Sequence, residues 1–292
     1  MIEQLFLNSL IAGSIYALIA LGFSIIYRTV KFFHFTHGIV YTAGAYFAYS
    51  LFTSLQFSFL ISFFVSILLA SLLGVIIDRT VYYPLRFKKA SNLSFLIASF
   101  GVFIFLQNLI ALIYGNKILT LRTGPIKEGY HIFGAVITPI QILILTVSII
   151  LVFLLWLFIK QTKLGKAMRA VFDDPLASNV VGINPERIIF ISFALGSLLA
   201  GVAGILISLE TNLEPTMGFI PLLKGIIASI IGGVGSIPGS ILGGFFLGLV
   251  ENLGIWKISA GWKDLIAFVI LIIFLLLKPR GFLGIKTEKE II

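Results

Sequence analysis

Nine apolar stretches follow one another along the chain, at residues 4–27, 32–52, 56–77, 93–114, 138–159, 188–209, 218–235, 239–256 and 264–279. A helix needs about 20 mostly apolar residues to cross the hydrocarbon core of a bilayer, within a range of about 17–25. Composition agrees. Of 292 residues, 59% are hydrophobic and 11% charged, where an ordinary soluble domain carries about 45–50% and about 25%. Mean hydropathy is +1.11. Disorder, a collagen-like fold, a disulfide scaffold and a soluble enzyme are set aside. The expected fold class is an all-α polytopic membrane protein of eight or nine transmembrane helices, forming one domain over residues 1–292. The stretches at 32–52 and 218–235 are the weakest, each short or interrupted by Gly or Pro, and either could be broken or re-entrant.

The first stretch does not read as a cleavable signal, because Met1-Ile2-Glu3-Gln4 lacks a basic start and the apolar run is too long. Lys and Arg fall unevenly. Loops 28–31, 78–92, 160–187, 236–238 and the tail after 277 hold fifteen, and the opposite set holds five. The positive-inside rule therefore places the first set in the cytoplasm, with the N-terminus outside and the C-terminus inside. The loop 210–217 carries Glu210 and Glu214 and no cation, which suits the outer face. The net charge of +9 is read the same way, as loop charge and not as a nucleic-acid surface, since no basic run is long enough to track phosphates. Without Cys there is no disulfide, thiolate metal site or Cys nucleophile.

The inner loop from Lys160 to Arg187 is the most informative stretch. Asp174 can cap a new helix, Pro175 fits its first turn, and Gly182 suits a left-handed residue that ends it. A short helix over 175–181 is expected, preceded by another around 165–172, with Asn184-Pro185-Glu186 capping the next span. Met168, Val171, Phe172, Leu176, Val180 and Val181 give these helices an apolar face outside the membrane. That face either packs on the protein itself or docks a soluble partner.

Lys224 and Glu251 are charges at membrane depth, which cost about 3 kcal/mol or more unless paired or hydrated. They lie at similar distances on either side of a turn near Ile237, so a hairpin of two helices would bring them to one level, nearer the outer surface. An ion pair is expected. Alternatives are that one of them lines a solute path, or that Lys224 snorkels to the surface. His34 and His37, three apart, would share a helix face. Hydrogen bonding between helices is favoured over metal binding, since no third ligand stands at suitable spacing. Asn8, Gln107 and Asn108 read as polar glue. Gly13-xxx-Ala17, Ser197-xxx-Gly201 and Gly244-xxx-Gly248 would let helices approach closely. The run containing Gly232, Gly233, Gly235 and Gly239 reads as a tight inner turn. It lacks the Lys-Ser/Thr of a P-loop.

The pattern Gly165-Lys-Ala-Met168-Arg169-Ala170, then Asp174, Ala177 and Gly182-Ile183-Asn184, resembles the cytoplasmic loop of LivH-type permease subunits of bacterial ABC importers for branched-chain amino acids. The resemblance continues through Ala194–Gly204, the Gly-rich hairpin from Pro221 to Glu251, and Leu277-Lys278-Pro279-Arg280-Gly281. One departure concerns the family's Asn-Phe-Ala-His-Gly-Glu. This chain has His34-Phe35-Thr36-His37-Gly38-Ile39, keeping His37 and Gly38 but placing Ile39 where the carboxylate stands.

The resemblance implies a non-catalytic permease working by alternating access in the bacterial inner membrane. It assigns the loop 160–187 to coupling with an ATPase. Implied partners are a second permease forming a heterodimer with this chain, two ATPase subunits that use ATP and Mg, and an extracytoplasmic binding protein on outer loops such as 115–137 and 210–217. The chain itself would bind no cofactor. His37, Lys224 and Glu251 are the candidate intramembrane path residues. The rival is a self-contained carrier or channel for a small solute, although neither internal repeats nor midplane coupling charges are evident. No His-Glu-x-x-His or Gly-x-Ser-x-Gly motif supports an enzyme.

Overall fold

The computed structural model describes residues 1–122, 128–132 and 134–284. Each of the nine stretches carries a helix. In chain order the helices are α1 (Ile2–Val30), α2 (Thr36–Tyr49), α3 (Phe59–Ile77), α4 (Tyr83–Phe87), α5 (Asn92–Tyr114), α6 (Pro139–Gln161), α7 (Lys163–Asp173), α8 (Pro175–Val180), α9 (Pro185–Glu210), α10 (Phe219–Gly232), α11 (Ile237–Gly254) and α12 (Lys263–Leu277). Among the described residues, seven helices are long and apolar enough to cross a membrane. The other two stretches form α2 and α10, of 14 residues each, and these are the two that Gly and Pro interrupt in the sequence. A π-helical turn, Ser50–Ser54, extends α2, and another, Asp78–Tyr82, joins α3 to α4.

Helix α1 is apolar all round and so is buried all round, as is α9; their most apolar windows are 83% and 72% buried. They form the centre, with α2 packed along α9 and with α11 along α1. Helices α5, α6 and α12 turn most of their surface outward, with Leu112, Phe153 and Leu276 exposed as lipid-facing side chains.

Small residues set the central crossings. Gly13 and Ala17 on α1 meet Gly244 and Gly248 on α11. A Cβ built on Gly248 would stand 2.7 Å from the Gly13 Cα, and one on Gly244 2.7 Å from the Ala17 Cα. The two motifs noted in the sequence are therefore two halves of one contact. Ser197 of the third motif packs on Gly74 of α3. Gly201 packs on Gly44 of α2, where an added Cβ at Gly44 would lie 2.6 Å from the Gly201 Cα.

At one end of the bundle the loop 115–137 contains an antiparallel hairpin, β1 (Tyr130–Ile132) with β2 (Ala135–Ile137). No strand was expected there, since three residues are too few to show alternation. Gln4 of α1 bonds both backbone groups of Val136, at 3.0 and 2.7 Å. Leu119 bridges to Leu213, so the loops 115–137 and 210–217 are tied together. Residues 123–127 of that loop, and Lys286 and Lys289 of the basic tail, lie outside the described residues.

Candidate functional site

The hairpin of α10 and α11 turns through Gly233–Ser236, with Gly233 at φ 106° and Gly235 at φ 81°, conformations that glycine adopts without a Cβ penalty. Gly232 and Gly239 face one another across the turn with backbone in contact, which leaves no room for side chains. The two arms bring Lys224 and Glu251 together. The Lys224 ammonium lies 3.1 Å from the Glu251 carboxylate and 2.9 Å from Asp264 at the start of α12. The Tyr16 hydroxyl of α1 donates to the same Glu251 carboxylate at 2.7 Å. Glu251 is fully buried, and Lys224 side-chain exposure is 11%, so the pair is internal and the ammonium does not snorkel. Sequence reasoning missed Asp264 and Tyr16. Tyr16 reaches the pair from α1, far away in the chain, and Asp264 from the next helix, α12; no spacing rule connects either to the pair.

Beside this network a cleft of about 370 Å³ opens between α1, α2, α6, α9, α10, α11 and α12. Its polar lining includes Asn8, Gln141, Glu210, Lys224, Asn252 and Lys263, and Tyr41 of α2 also reaches it. The remaining wall is aliphatic, with Ile11, Ile15 and Ile207 among the lining residues. The cleft lies toward the end that carries the β-hairpin. His37 does not line it.

The inner loop folds as the sequence implies. Thr162 caps α7 by accepting from the Gly165 N–H at 2.9 Å. Asp174 caps α8 by accepting from Leu176 and Ala177 at 2.8 and 3.0 Å. Gly182 has φ 87°, and Asn184 caps α9. The apolar face divides between its two possible roles. Met168, Val171 and Phe172 are buried against the bundle, whereas Leu176, Val180 and Val181 are 81%, 88% and 74% exposed.

Among the proposed coupling residues, Asp174, Ala177 and Gly182 are exposed, Ala170 is half-buried and Gly165 is buried. A side chain on Gly165 would press on the Ile159 backbone at 2.6 Å, so this glycine lets α7 fold tightly under α6. Arg169 turns back and donates to the Ile159 carbonyl at the end of α6. It braces the loop and does not point outward. Arg28 of α1 holds α7 from the other side, 3.0 Å from Asp173 and with its guanidinium 5.0 Å from the Phe172 ring centre.

A second charge cluster at this inner end was not anticipated. Arg86 of α4 pairs with Asp78 at 2.7 Å and Glu186 of α9 at 2.9 Å. Asp78 reads as a loop residue in sequence because the apolar run stops at Ile77, yet the π turn carries the helix on and buries it.

The histidines require correction. His34 precedes α2, which begins at Thr36, so the two do not share a helix face. The His34 ring bonds the Tyr82 hydroxyl at 3.0 Å, and the His37 ring packs against Gly22 of α1. Asn8 and Asn108 are not glue between helices either. Asn8 accepts from Gln4, and Asn108 donates to Ile104, each within its own helix.

Comparison with known proteins follows the same outline. Residues 5–275 match the family model described as the permease component of the branched-chain amino acid transport system. The permease protein BraD of a high-affinity branched-chain amino acid transport system from Pseudomonas aeruginosa is 38% identical, covering 98% of this chain and 97% of its own. The corresponding LivH protein of Escherichia coli is 34% identical, covering 99% and 97%. A probable LivH of Methanocaldococcus jannaschii is 27% identical, covering 97% and 92%. Among solved structures, a chain of PsaBC from Streptococcus pneumoniae in complex with Fab superposes with a TM-score of 0.54 over 94% of this chain and 91% of its own; at 14% identity the likeness is one of fold.

Proposed function

The chain belongs to the permease family of branched-chain amino acid transport systems, and on that premise we propose that it carries branched-chain or other hydrophobic amino acids into bacterial cells. It is a permease subunit of an ABC importer. Its seven long apolar helices make it a multi-pass membrane protein. In the proposed reading the N-terminus is outside and the C-terminus cytoplasmic, as the distribution of Lys and Arg requires.

The observation that carries the coupling role is α8. A helix capped at both ends and braced through α7 to α1 and α6 presents Leu176, Val180 and Val181 to solvent at the basic end of the bundle. Exposed aliphatic side chains on a rigid loop suit a groove in a soluble partner. The chain has no P-loop, so that partner supplies ATP hydrolysis with its Mg, and this subunit performs no catalysis. Closure of two ATPases would push α7 and α8. Arg28 and the α6–α7 turn would pass the movement to α1 and α6, which wall the cleft, in an alternating-access cycle. The tied loops at the opposite end offer the binding protein a joined platform. A second permease completes the pathway.

The test is co-purification from native membranes in mild detergent. Wild type retains a P-loop ATPase and a second permease. The Leu176→Asp/Val180→Asp variant loses the ATPase but keeps its thermal stability, because neither side chain is buried. A wild type that purifies stably and alone, under conditions that preserve known complexes, would remove the ATP-driven reading and favour a self-contained carrier.

A further inference from the structure

A separate groove of about 240 Å³ runs between α1, α6 and α11. Its floor is made of small buried side chains, Ser14 and Ala17 of α1 and Ser148 of α6. Its rims are large: Phe153 and Trp156 of α6 on one side and Phe245 of α11 on the other. Phe153 and Trp156 are exposed, so the groove opens on the lipid-facing surface of the bundle. The Ser14 hydroxyl donates to the Ile11 carbonyl at 2.7 Å, and the Ser148 hydroxyl is buried. The open wall is therefore apolar. Water does not fill such a space, and left empty its lining would forfeit dispersion contacts. A helix, about 10–12 Å across with its side chains, is too wide to enter it, whereas a linear hydrocarbon chain is not.

One end of the groove is basic. Trp156 lies one turn before Lys160 on α6, and the Lys160 ammonium stands 4.8 Å from the Trp156 ring centre. Lys163 and Lys166 follow in the first turn of α7, and all three lysines are exposed. None has a carboxylate partner among the described residues. The nearest acids in the chain are committed elsewhere, Asp173 to Arg28 and Asp174 to the cap of α8. Basic residues at the membrane surface beside a crevice between helices are the chemistry that holds anionic lipid headgroups. We propose that the groove binds an anionic phospholipid, with one acyl chain along Phe153 and Phe245 and the phosphate on Lys160. Lys163 and Lys166 add to the positive field there. The site depends on the chain spanning a membrane and not on which solute it carries.

Photo-crosslinking from the lipid tests it. A phosphatidylglycerol and a phosphatidylcholine with the same diazirine-bearing acyl chain are added in turn, at equal low mole fraction, to phosphatidylcholine nanodiscs. The discs hold the full chain with any subunits that purify with it. Adducts are mapped by mass spectrometry after irradiation. The phosphatidylglycerol should label residues 148–156 and 241–245 about fivefold more than the phosphatidylcholine, while both label the exposed Leu276 of α12 equally. Lys160→Gln should remove the preference. Lys257→Gln, which alters a similar Lys–Trp contact at the other end of the bundle, should leave it intact. Equal labelling of the groove by the two lipids would overturn the proposal in favour of ordinary boundary lipid. A preference that survives Lys160→Gln would overturn the headgroup assignment. No adduct in the groove, in discs where Leu276 is labelled, would overturn it in favour of a covering polypeptide.

Discussion

Replacing the two members of the buried pair should have unequal effects. Lys224→Met leaves the Glu251 carboxylate, with a fully buried side chain, bonded only by the neutral Tyr16 hydroxyl, with the Lys263 charge acting on it from farther away. An uncompensated buried charge of this kind costs about 3–5 kcal/mol. Glu251→Gln leaves the Lys224 ammonium 2.9 Å from Asp264, whose side chain is 51% exposed. Only a charged hydrogen bond is lost, so the cost falls to about 1.5–3 kcal/mol. In the double variant neither charge remains, and the amide still accepts from Tyr16. The double should be more stable than the sum of the singles predicts, by about 2 kcal/mol. Equilibrium unfolding of the purified subunit in mixed micelles, titrated with dodecyl sulfate, measures all three. Additivity within about 0.5 kcal/mol, or a larger loss for Glu251→Gln than for Lys224→Met, would refute the asymmetric triad.

Three further outcomes follow from named contacts. Gly44→Val should cost about 1–3 kcal/mol and lower the yield of folded protein, because α2 and α9 cannot separate without opening the core, whereas Gly101→Ala, with nothing within 4 Å of the new methyl, should be neutral or mildly stabilising. Asp174→Ala should cost about 1 kcal/mol of local stability, visible as faster amide exchange at 176–178 with the bundle unchanged. Arg28→Ala removes the strap to Asp173 and Phe172; the exposed pair contributes about 0–1 kcal/mol, so thermal midpoints should barely move, while leucine transported per ATP hydrolysed should fall in reconstituted vesicles.

The spans were legible because a helix in lipid needs a long apolar run, and runs of that length stand out from single residues. The inner loop was legible for a different reason. Asp174, Pro175, Gly182 and Asn184 are capping residues whose roles depend only on neighbouring backbone. The depth match of Lys224 and Glu251 followed from counting along two helices from one glycine turn. What stayed hidden depends on which helices meet. Tyr16 and Asp264 converge on the Lys224–Glu251 pair from α1 and α12, at opposite ends of the chain. Asp78 was hidden by a π turn that no apolar pattern announces. The histidine spacing misled because helical periodicity was extended to His34, two residues before α2 begins, where the ring instead bonds the Tyr82 hydroxyl.

The most direct test of the central claim is labelled leucine accumulation in vesicles containing this subunit, its second permease and the ATPases, with the loaded binding protein on the outside. Accumulation that requires ATP inside, and that the Leu176→Asp/Val180→Asp variant abolishes, is the predicted result. Accumulation by this subunit alone, driven by an ion gradient and indifferent to ATP, would contradict it.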